Sequence, residues 1–435
     1  MPEMNSLTLN GTTYDCFVDD VARSSVVVCS ASGENIVVSD SSTNPLVGLN
    51  IYGKSTQAGT PTPDAPVDIV SVGEGGSIEA RVYGKSIVGC YDKQTITTYG
   101  ITFTINGDGS VTANGTATGD ANLNVGEYNN WYLPKGKYKF STGIKSNALV
   151  LIVGLKDNEN VPYVYGQNEI EFVCNNSGKK NGHCVIQIQS GRTVSNLTFY
   201  PMIRVASASS SFEKVKTPQS ISISTPDGLN ALPVTDQTIA TYTDANGKMW
   251  CADEIDLARG VRVQRLGKWV IDGSITPTTF VDGNSGGSVV GYLYSDVMKG
   301  ISTNRVPKMC NRLQPPAMTH PESYKDCKIG YWYFNSGGAT TPDIFLVFNV
   351  GDFETAEDVA DYLKVNPLTF IGILAVPIET PLTDEEIAAY KTIHTNKPST
   401  TVLNDGGAYM SMNYIADAKS YIDNKVSGIL SATVE

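Results

Sequence analysis

Residues 101–117, ITFTINGDGSVTANGTA, decide the fold of this chain. Ile101, Phe103 and Ile105 alternate with threonines, and this period of two is typical of a β-strand with one buried face. The turn-forming residues 106–109, Asn-Gly-Asp-Gly, come next, and the alternation then resumes on the return. The stretch therefore predicts a β-hairpin.

The same pattern recurs along residues 91–216, in short segments separated by turn formers and without a helical period. These segments are KYKFSTGI, ALVLIVGL, NEIEFVC, HCVIQIQS and NLTFYPMIRV. Such spacing is typical of an antiparallel sandwich. A second β region is expected between about 218 and 381. The predicted fold class is mainly β, with serial antiparallel β-sandwich domains of jelly-roll type.

Helical signals are few and lie near the C-terminus. Thr355 is a suitable N-cap for AEDVADYLKVN, which must end before the proline that follows it. Thr383 and Glu386 form a T-x-x-E capping box ahead of a second helix. A last helix is expected from about Ile415 to Leu430, where isoleucines recur every seven residues. That spacing fits either a trimer seam or a helix packed on its own domain.

The chain is accordingly divided into four predicted parts. They are an N-terminal attachment segment and linker (1–45), a first β-sandwich (46–217), a second β domain with one helix (218–381) and a helical C-terminal tail (382–435). The attachment segment contains a predicted short hairpin around Asn10-Gly11. Two near-copies, LNIYGKST at 49–56 and ARVYGKSI at 80–87, predict two strands of similar construction that pair with each other.

Composition and charge exclude several classes of protein. The 435 residues carry a net charge of −12, so a nucleic-acid partner is not expected. With 41% hydrophobic residues the chain can fill a core, which argues against disorder. No apolar run is long enough for a transmembrane helix, and no secretory signal is visible at the N-terminus. The eight scattered cysteines are expected to be reduced thiols, and three histidines make a zinc site improbable.

Two motif matches are rejected on their surroundings. Residues 48–55 satisfy G-x-x-x-x-G-K-[ST], but neither the buried strand before a phosphate-binding loop nor the helix after it is present. Residues 244–255 begin like a calcium loop, yet Ile255 occupies the position that needs a bidentate glutamate. We expect no cofactor and no metal ion, and we expect residues 244–248 to form a turn.

Catalytic signals are equally weak, so the chain is expected not to be an enzyme. A G-x-S-x-G elbow is absent, and His183, His320 and His394 stand apart from one another in the sequence. The densest acidic cluster is residues 253–256, and a solvated turn explains it as well as a catalytic role does. A pair of carboxylates for glycoside hydrolysis cannot be selected from 44 acidic residues by sequence.

Two aromatic clusters are the candidate ligand contacts. Aromatic rings stack on the C–H faces of sugars, and amide side chains bind sugar hydroxyls. Packing of the same rings in the core is the open alternative for each cluster. The candidate glycan contacts are Tyr128, Trp131 and Tyr132 in EYNNWYLP, and Tyr331, Trp332 and Tyr333 in KIGYWYF.

Several long strings resemble tail proteins of phages and prophages of gut Firmicutes. They include NPLVGLNIYGKSTQAGTPTPDAPVDIVSVG, the sandwich strings from ITFTINGDGSVTANGTA to NLTFYPMIRVASASSSFE, PDGLNALPV with the run DANGKMWCADEIDLARGVRVQRLGKW, and the ending from PIETPLTDEEIAAY to YIADAKSYIDNK. The sandwich strings are similar to carbohydrate-binding-module-like domains. Together these strings cover most of the chain between residues 44 and 425.

The resemblance implies a minor structural protein of the virion tail, made in the host cytoplasm and placed distally as a tail fibre or baseplate part. It implies a homotrimer, docking of the N-terminal segment onto other tail proteins, and adhesion to host-surface polysaccharide. Two alternatives remain open: a purely structural tail-tip subunit, and a polysaccharide-degrading tailspike enzyme.

Overall fold

A computed structural model gives the architecture of the chain. It describes residues 6–9, 12–15, 27–89, 94–126, 131–155, 163–174, 179–180, 182–280, 289–294, 300, 308–313, 331–335, 343–349 and 353–432. Within these residues the structure is mainly β, with many antiparallel sheets and three helices, which confirms the predicted fold class.

The described elements run along the chain as follows. The strands are β1 (Ser6–Leu9), β2 (Thr12–Asp15), β3 (Val27–Gly33), β4 (Asn35–Val38), β5 (Gly48–Tyr52), β6 (Ser55–Thr56), β7 (Val70–Ser71), β8 (Gly76–Tyr83), β9 (Thr95–Thr98), β10 (Ile101–Ile105), β11 (Val111–Thr116), β12 (Ala121–Val125), β13 (Trp131–Tyr132), β14 (Gly136–Ser141), β15 (Leu149–Leu155), β16 (Tyr163–Gly166), β17 (Glu169–Cys174), β18 (Lys179–Lys180), β19 (Gly182–Ile188), β20 (Thr193–Phe199), β21 (Met202–Val205), β22 (Gln219–Thr225), β23 (Ala231–Val234), β24 (Tyr242–Thr243), β25 (Met249–Ala252), β26 (Glu254–Asp256), β27 (Val261–Ile271), β28 (Thr278–Phe280), β29 (Val289–Tyr294), β30 (Lys308–Cys310), β31 (Tyr331–Asn335), β32 (Asp343–Asn349), β33 (Leu368–Pro381), β34 (Thr400–Asn404) and β35 (Tyr409–Ala416). The helices are α1 (Ala356–Val365), α2 (Asp384–Lys391) and α3 (Ala418–Ala432).

Two sheets form a central body from distant parts of the chain. The seven-stranded sheet has the order β3-β35-β5-β26-β27-β33-β30, and the four-stranded sheet has the order β22-β8-β34-β4. Both sheets contribute to one apolar core, for example through Ile51, Val82 and Met410, each at most 1% exposed. Residues near both ends of the chain therefore hold the central body together.

The β-sandwich is inserted into the central body. Strands β8 and β22 are hydrogen-bonded neighbours, with Val82 opposite Gln219, and the sandwich lies between them in the sequence. Its sheets have the orders β20-β11-β10-β9, β12-β19-β15-β16 and β17-β14-β21. Large side chains fill their common core, including Phe103, Tyr138 and Phe199, which are fully buried. The chain thus leaves the central body at the end of β8 and returns to it at the start of the neighbouring strand β22.

A second unit lies between β27 and β33 in the sequence, although β30 of the same segment returns to the seven-stranded sheet beside β33. Strands β27 and β33 pair with Ile271 opposite Leu368, and residues 272–367 lie between them in the sequence. This unit contains the sheet β28-β29-β32-β31 and helix α1. Leu346 of the sheet and Leu363 of the helix share a core.

Predicted local elements are confirmed in several places. Strands β10 and β11 form the hairpin of residues 101–117, and Gly109 in its turn has a φ of 84°, which favours glycine. Strands β1 and β2 form the N-terminal hairpin. Thr355 caps α1 and Thr383 caps α2 in a box with Glu386, as the sequence predicts, and Thr355 forms a further capping box with Asp358.

Other expectations are wrong. The two Gly-Lys-Ser strands do not pair, because β5 lies between β26 and β35 whereas β8 lies between β22 and β34. The last helix begins at Ala418, and Ile415 belongs to β35, whose pairing with β3 excludes it from the helix. Strands β34 and β35 do form between the two tail helices, where the sequence 400–414 is β-like. Strands on both sides of residues 45 and 381 share sheets, so the sheets do not follow these two predicted boundaries.

Candidate functional site

The outer face of one sandwich sheet carries the candidate site. In β12 the burial alternates, and Leu123 of β12 and Cys184 and Ile186 of β19 belong to the core, while Val185 between the last two is only 6% exposed. The intervening residues therefore point away from the core, on the opposite face of the sheet. We call this surface the outer face. Its members are Asn122, Asn124, Val150, Ile152, Gly154, Tyr163, Tyr165, His183, Val185 and Gln187.

The strand register arranges these residues in three rows across the sheet. One row runs Asn124, Val185, Ile152 and Tyr165. The next runs His183, Gly154 and Tyr163. The third runs Asn122, Gln187 and Val150. Amides consequently lie at one side of the outer face and tyrosines at the other.

Two tyrosines project from the edge strand β16. Tyr163 is 48% exposed and Tyr165 is 63% exposed. Their ring centroids are 6.1 Å apart with planes inclined at 34°, and the ring of Tyr163 lies 5.4 Å from that of His183. Exposed rings side by side offer an apolar surface on which a flat, partly apolar ligand can stack.

Glycine at position 154 allows these rings to meet. A Cβ at Gly154 would lie 2.8 Å from Cε1 of His183 and 3.0 Å from Cε1 of Tyr163. Any larger side chain would push the two rings apart. The glycine is therefore required by a close approach of side chains across the strands.

The polar side of the outer face consists of amides. Nε2 of Gln187 donates a hydrogen bond to Oδ1 of Asn122 at 3.0 Å, which fixes both side chains across the strands. Asn124 lies two residues further along β12 and is exposed. Amides donate and accept hydrogen bonds, so they can bind hydroxyl groups in either direction.

The outer face is neutral. None of its ten members is acidic or basic apart from His183, and burial lowers the pKa of that ring below its usual range. His183 is consequently uncharged at pH 7. The outer face therefore offers hydrogen-bonding and stacking groups, which are the groups that contact uncharged polar ligands.

The sequence-predicted contacts lie elsewhere. Trp131 and Tyr132 form β13, and Tyr331, Trp332 and Tyr333 belong to β31, which pairs with β32. Tyr128 and the side chains of these five residues lie outside the described part of the structure, so their role stays a prediction. Reasoning from sequence missed the Tyr-x-Tyr spacing of YVYG at 163–166, which places both rings on one face of a strand.

The acidic cluster at 253–256 is not a solvated turn, and that interpretation is wrong. Asp253 is 4% exposed, and its carboxylate accepts hydrogen bonds from the backbone N–H groups of Asn230, Arg265 and Leu266. Glu254 is 8% exposed and forms an ion pair with Arg265 at 2.7 Å. The Asp253 carboxyl is internal because it pairs with the N–H groups of the bulge of β27, where the register shifts between Gln264 and Leu266.

Two of the motif matches have the local structure that the sequence predicts. The turn at 244–248 is confirmed, and Oδ1 of Asp244 accepts bonds from the N–H groups of Asn246 and Lys248. Residues 48–52 of the phosphate-loop match form strand β5. In the part of the chain that the structure describes, no three His, Cys, Asp or Glu side chains come together as a metal site would require. Among the same residues, no helix has the length and apolar content to cross a membrane.

Comparison of this chain with models of protein families, with curated proteins and with solved structures found no match.

Proposed function

We propose that this chain is a non-enzymatic component of a phage tail, in a fibre, baseplate or tail tip, that adheres to host-surface glycans through the outer face. The observation on which the adhesion part rests is the pair of exposed tyrosines, Tyr163 and Tyr165, at one side of a neutral sheet surface that carries amides at its other side. The tail assignment rests on the sequence resemblance.

The proposed binding mode follows from the chemistry of the outer face. One sugar of a polysaccharide stacks its C–H face on Tyr165 of β16, and hydroxyls of sugars further along the polysaccharide bond to Gln187 and Asn122, two and three strands away. Such contacts need no charge on the ligand, which suits a neutral polysaccharide. Because each contact is weak and the surface is open, useful affinity requires several copies of the chain acting together.

Self-association is the second part of the proposal. Helix α3 exposes Ile422 at 55% and Val426 at 42%, one turn apart on one side of the helix. Exposed apolar side chains at this spacing can pack against the same helix in other copies of the chain, and we propose a homotrimer. The N-terminal segment would dock onto other tail proteins.

The test uses the full chain and purified envelope polysaccharide of a susceptible host. We expect saturable binding that falls at least tenfold when Tyr163→Ala and Tyr165→Ala are combined. Tyr99→Ala is the matched control, because Tyr99 is 62% exposed and precedes β10 in another sheet of the sandwich. The control should bind like the unmodified chain, and the soluble fraction should contain no released sugar.

Other outcomes separate the alternatives. Absence of binding by the full chain, with defective tails when the chain is missing, would replace adhesion by a purely structural role. Release of oligosaccharide would indicate a degrading enzyme. Binding that Tyr99→Ala weakens as much as the double variant would refute the outer face as the site.

A further inference from the structure

A pocket in the central body lies well separated in sequence from the outer face. It has a volume of about 280 Å³ and lies among β5, the segment before β24, the bulge of β27 and the middle of β33. We call it the Glu254 pocket. The residues that matter for its chemistry are Tyr52, Ile239, Thr241, Glu254, Arg265 and Leu374.

A buried ion pair forms the polar part of the Glu254 pocket. Oε2 of Glu254 lies 2.7 Å from Nη2 of Arg265, with side-chain exposures of 11% and 23%. Asn50 donates to the other carboxylate oxygen, and Nη1 of Arg265 donates to the carbonyl oxygen of Ala252 at 3.1 Å. Because the pair lies on a pocket wall, its remaining donors and acceptors face a space that a ligand can enter.

The ring of Tyr52 is held in place beside this pair. Its centroid lies 5.4 Å from the ring of Tyr242 and 6.2 Å from that of Tyr409. Burial raises the pKa of Tyr52, so the hydroxyl is protonated at pH 7 and can donate as well as accept. A fixed ring and a fixed ion pair make a preorganised site, which lowers the entropic cost of binding.

The pattern of donors and acceptors identifies the class of ligand. A carboxylate only accepts hydrogen bonds and a guanidinium only donates them. A ligand with two neighbouring hydroxyls can bind both side chains, because one hydroxyl donates to the carboxylate of Glu254 while the other accepts from the guanidinium of Arg265. The charges of the pair cancel, so the ligand is neutral. Ile239 and Leu374 offer apolar walls for its C–H groups.

We infer that the Glu254 pocket binds a neutral monosaccharide through a vicinal diol. Its volume is near the lower end of ligand pockets, about 300 Å³, which allows one sugar ring and excludes an oligosaccharide. The site goes beyond the proposed adhesion, because it belongs to the central body and uses none of the residues of the outer face.

The test is saturation-transfer NMR on the full chain with D-glucose, D-galactose and N-acetyl-D-glucosamine as separate probes. At least one probe should give a saturable signal. Ala240→Leu places extra volume in the pocket and should weaken that binding at least tenfold. Ala245→Leu, in the exposed turn before β25, is the matched control and should leave it unchanged.

Two further variants keep the result decisive. Thr238→Trp, at an exposed position of the pocket rim, should also weaken binding. Because Thr238 is exposed, this variant can still be measured if Ala240→Leu unfolds the chain. Combined Tyr163→Ala and Tyr165→Ala should leave the signal intact. The inference is overturned if none of the three sugars binds saturably, or if both pocket variants leave binding unchanged.

Discussion

Replacing Asp253 by asparagine should change how the stability of the chain depends on pH. The Asp253 carboxylate links three strands, because its oxygens accept from Asn230 N–H before β23 and from Arg265 and Leu266 N–H in the bulge of β27. The backbone N–H of Asp253 donates to the carbonyl oxygen of Asn230, and the carbonyl oxygen of Asp253 accepts from the N–H of Gly53. Asparagine keeps the shape of the side chain but does not titrate in this range.

The magnitude follows from the pKa of the buried carboxyl. Burial raises the pKa of Asp253 from 3.8 to about 6, although its N–H partners act in the opposite direction. The folded chain then holds the proton more tightly than the unfolded chain. The resulting stability is fully present below pH 4 and is lost as the pH rises through 6. At about 1.4 kcal/mol per pKa unit, the difference amounts to about 3 kcal/mol.

The assay is urea unfolding of the unmodified chain and of Asp253→Asn at intervals from pH 3.5 to 7. The free energy of unfolding of the unmodified chain, minus that of Asp253→Asn, should fall by about 3 kcal/mol across this range. Subtraction removes the titration of the other carboxyls. Asp227→Asn, at an exposed position, serves as the control and should change stability by less than about 0.5 kcal/mol. A difference that stays flat, or grows toward pH 7, would refute the reasoning.

Three further predictions concern the architecture. Replacing residues 86–216 by a short Gly-Asn turn should leave a central body with a cooperative thermal transition in circular dichroism, because β8 and β22 are already paired; loss of the transition would contradict the nested topology. Thr383→Ala should cost about 1 kcal/mol in urea unfolding, since its Oγ accepts from the N–H of Glu386; an unchanged midpoint would show that the cap is dispensable. Ile422→Asp with Val426→Asp should convert an oligomer into a monomer in light scattering, and an oligomer of unchanged mass would exclude α3 as the seam.

The sequence predicts elements whose determinants lie close together along the chain. A period of two identifies the strands around Phe103, and capping residues identify where α1 and α2 begin. These signals depend on neighbours within a few residues. The predicted mainly β class follows from them and needs no knowledge of how the sheets are joined.

Long-range pairing could not be predicted in this way. The two strands that precede the Gly-Lys-Ser copies both end in tyrosine and alternate alike, yet β5 and β8 lie in different sheets. In the sequence Asp253 is one acid in a polar run. Its hydrogen-bond partners in the bulge of β27 become apparent only when the strands are paired. Tyr163 and Tyr165 could have been found from their spacing, but their proximity to His183 depends on the pairing of three strands.

The central claim is that the outer face of the sandwich binds glycan. The most direct measurement is a crystal structure of the full chain with an oligosaccharide cut from the host polysaccharide that it binds. We expect a sugar ring within about 4 Å of the ring of Tyr165 and hydroxyls bonded to Gln187 or Asn122. A bound oligosaccharide that leaves the outer face empty and occupies another surface, such as the one around residues 331–333, would contradict the account.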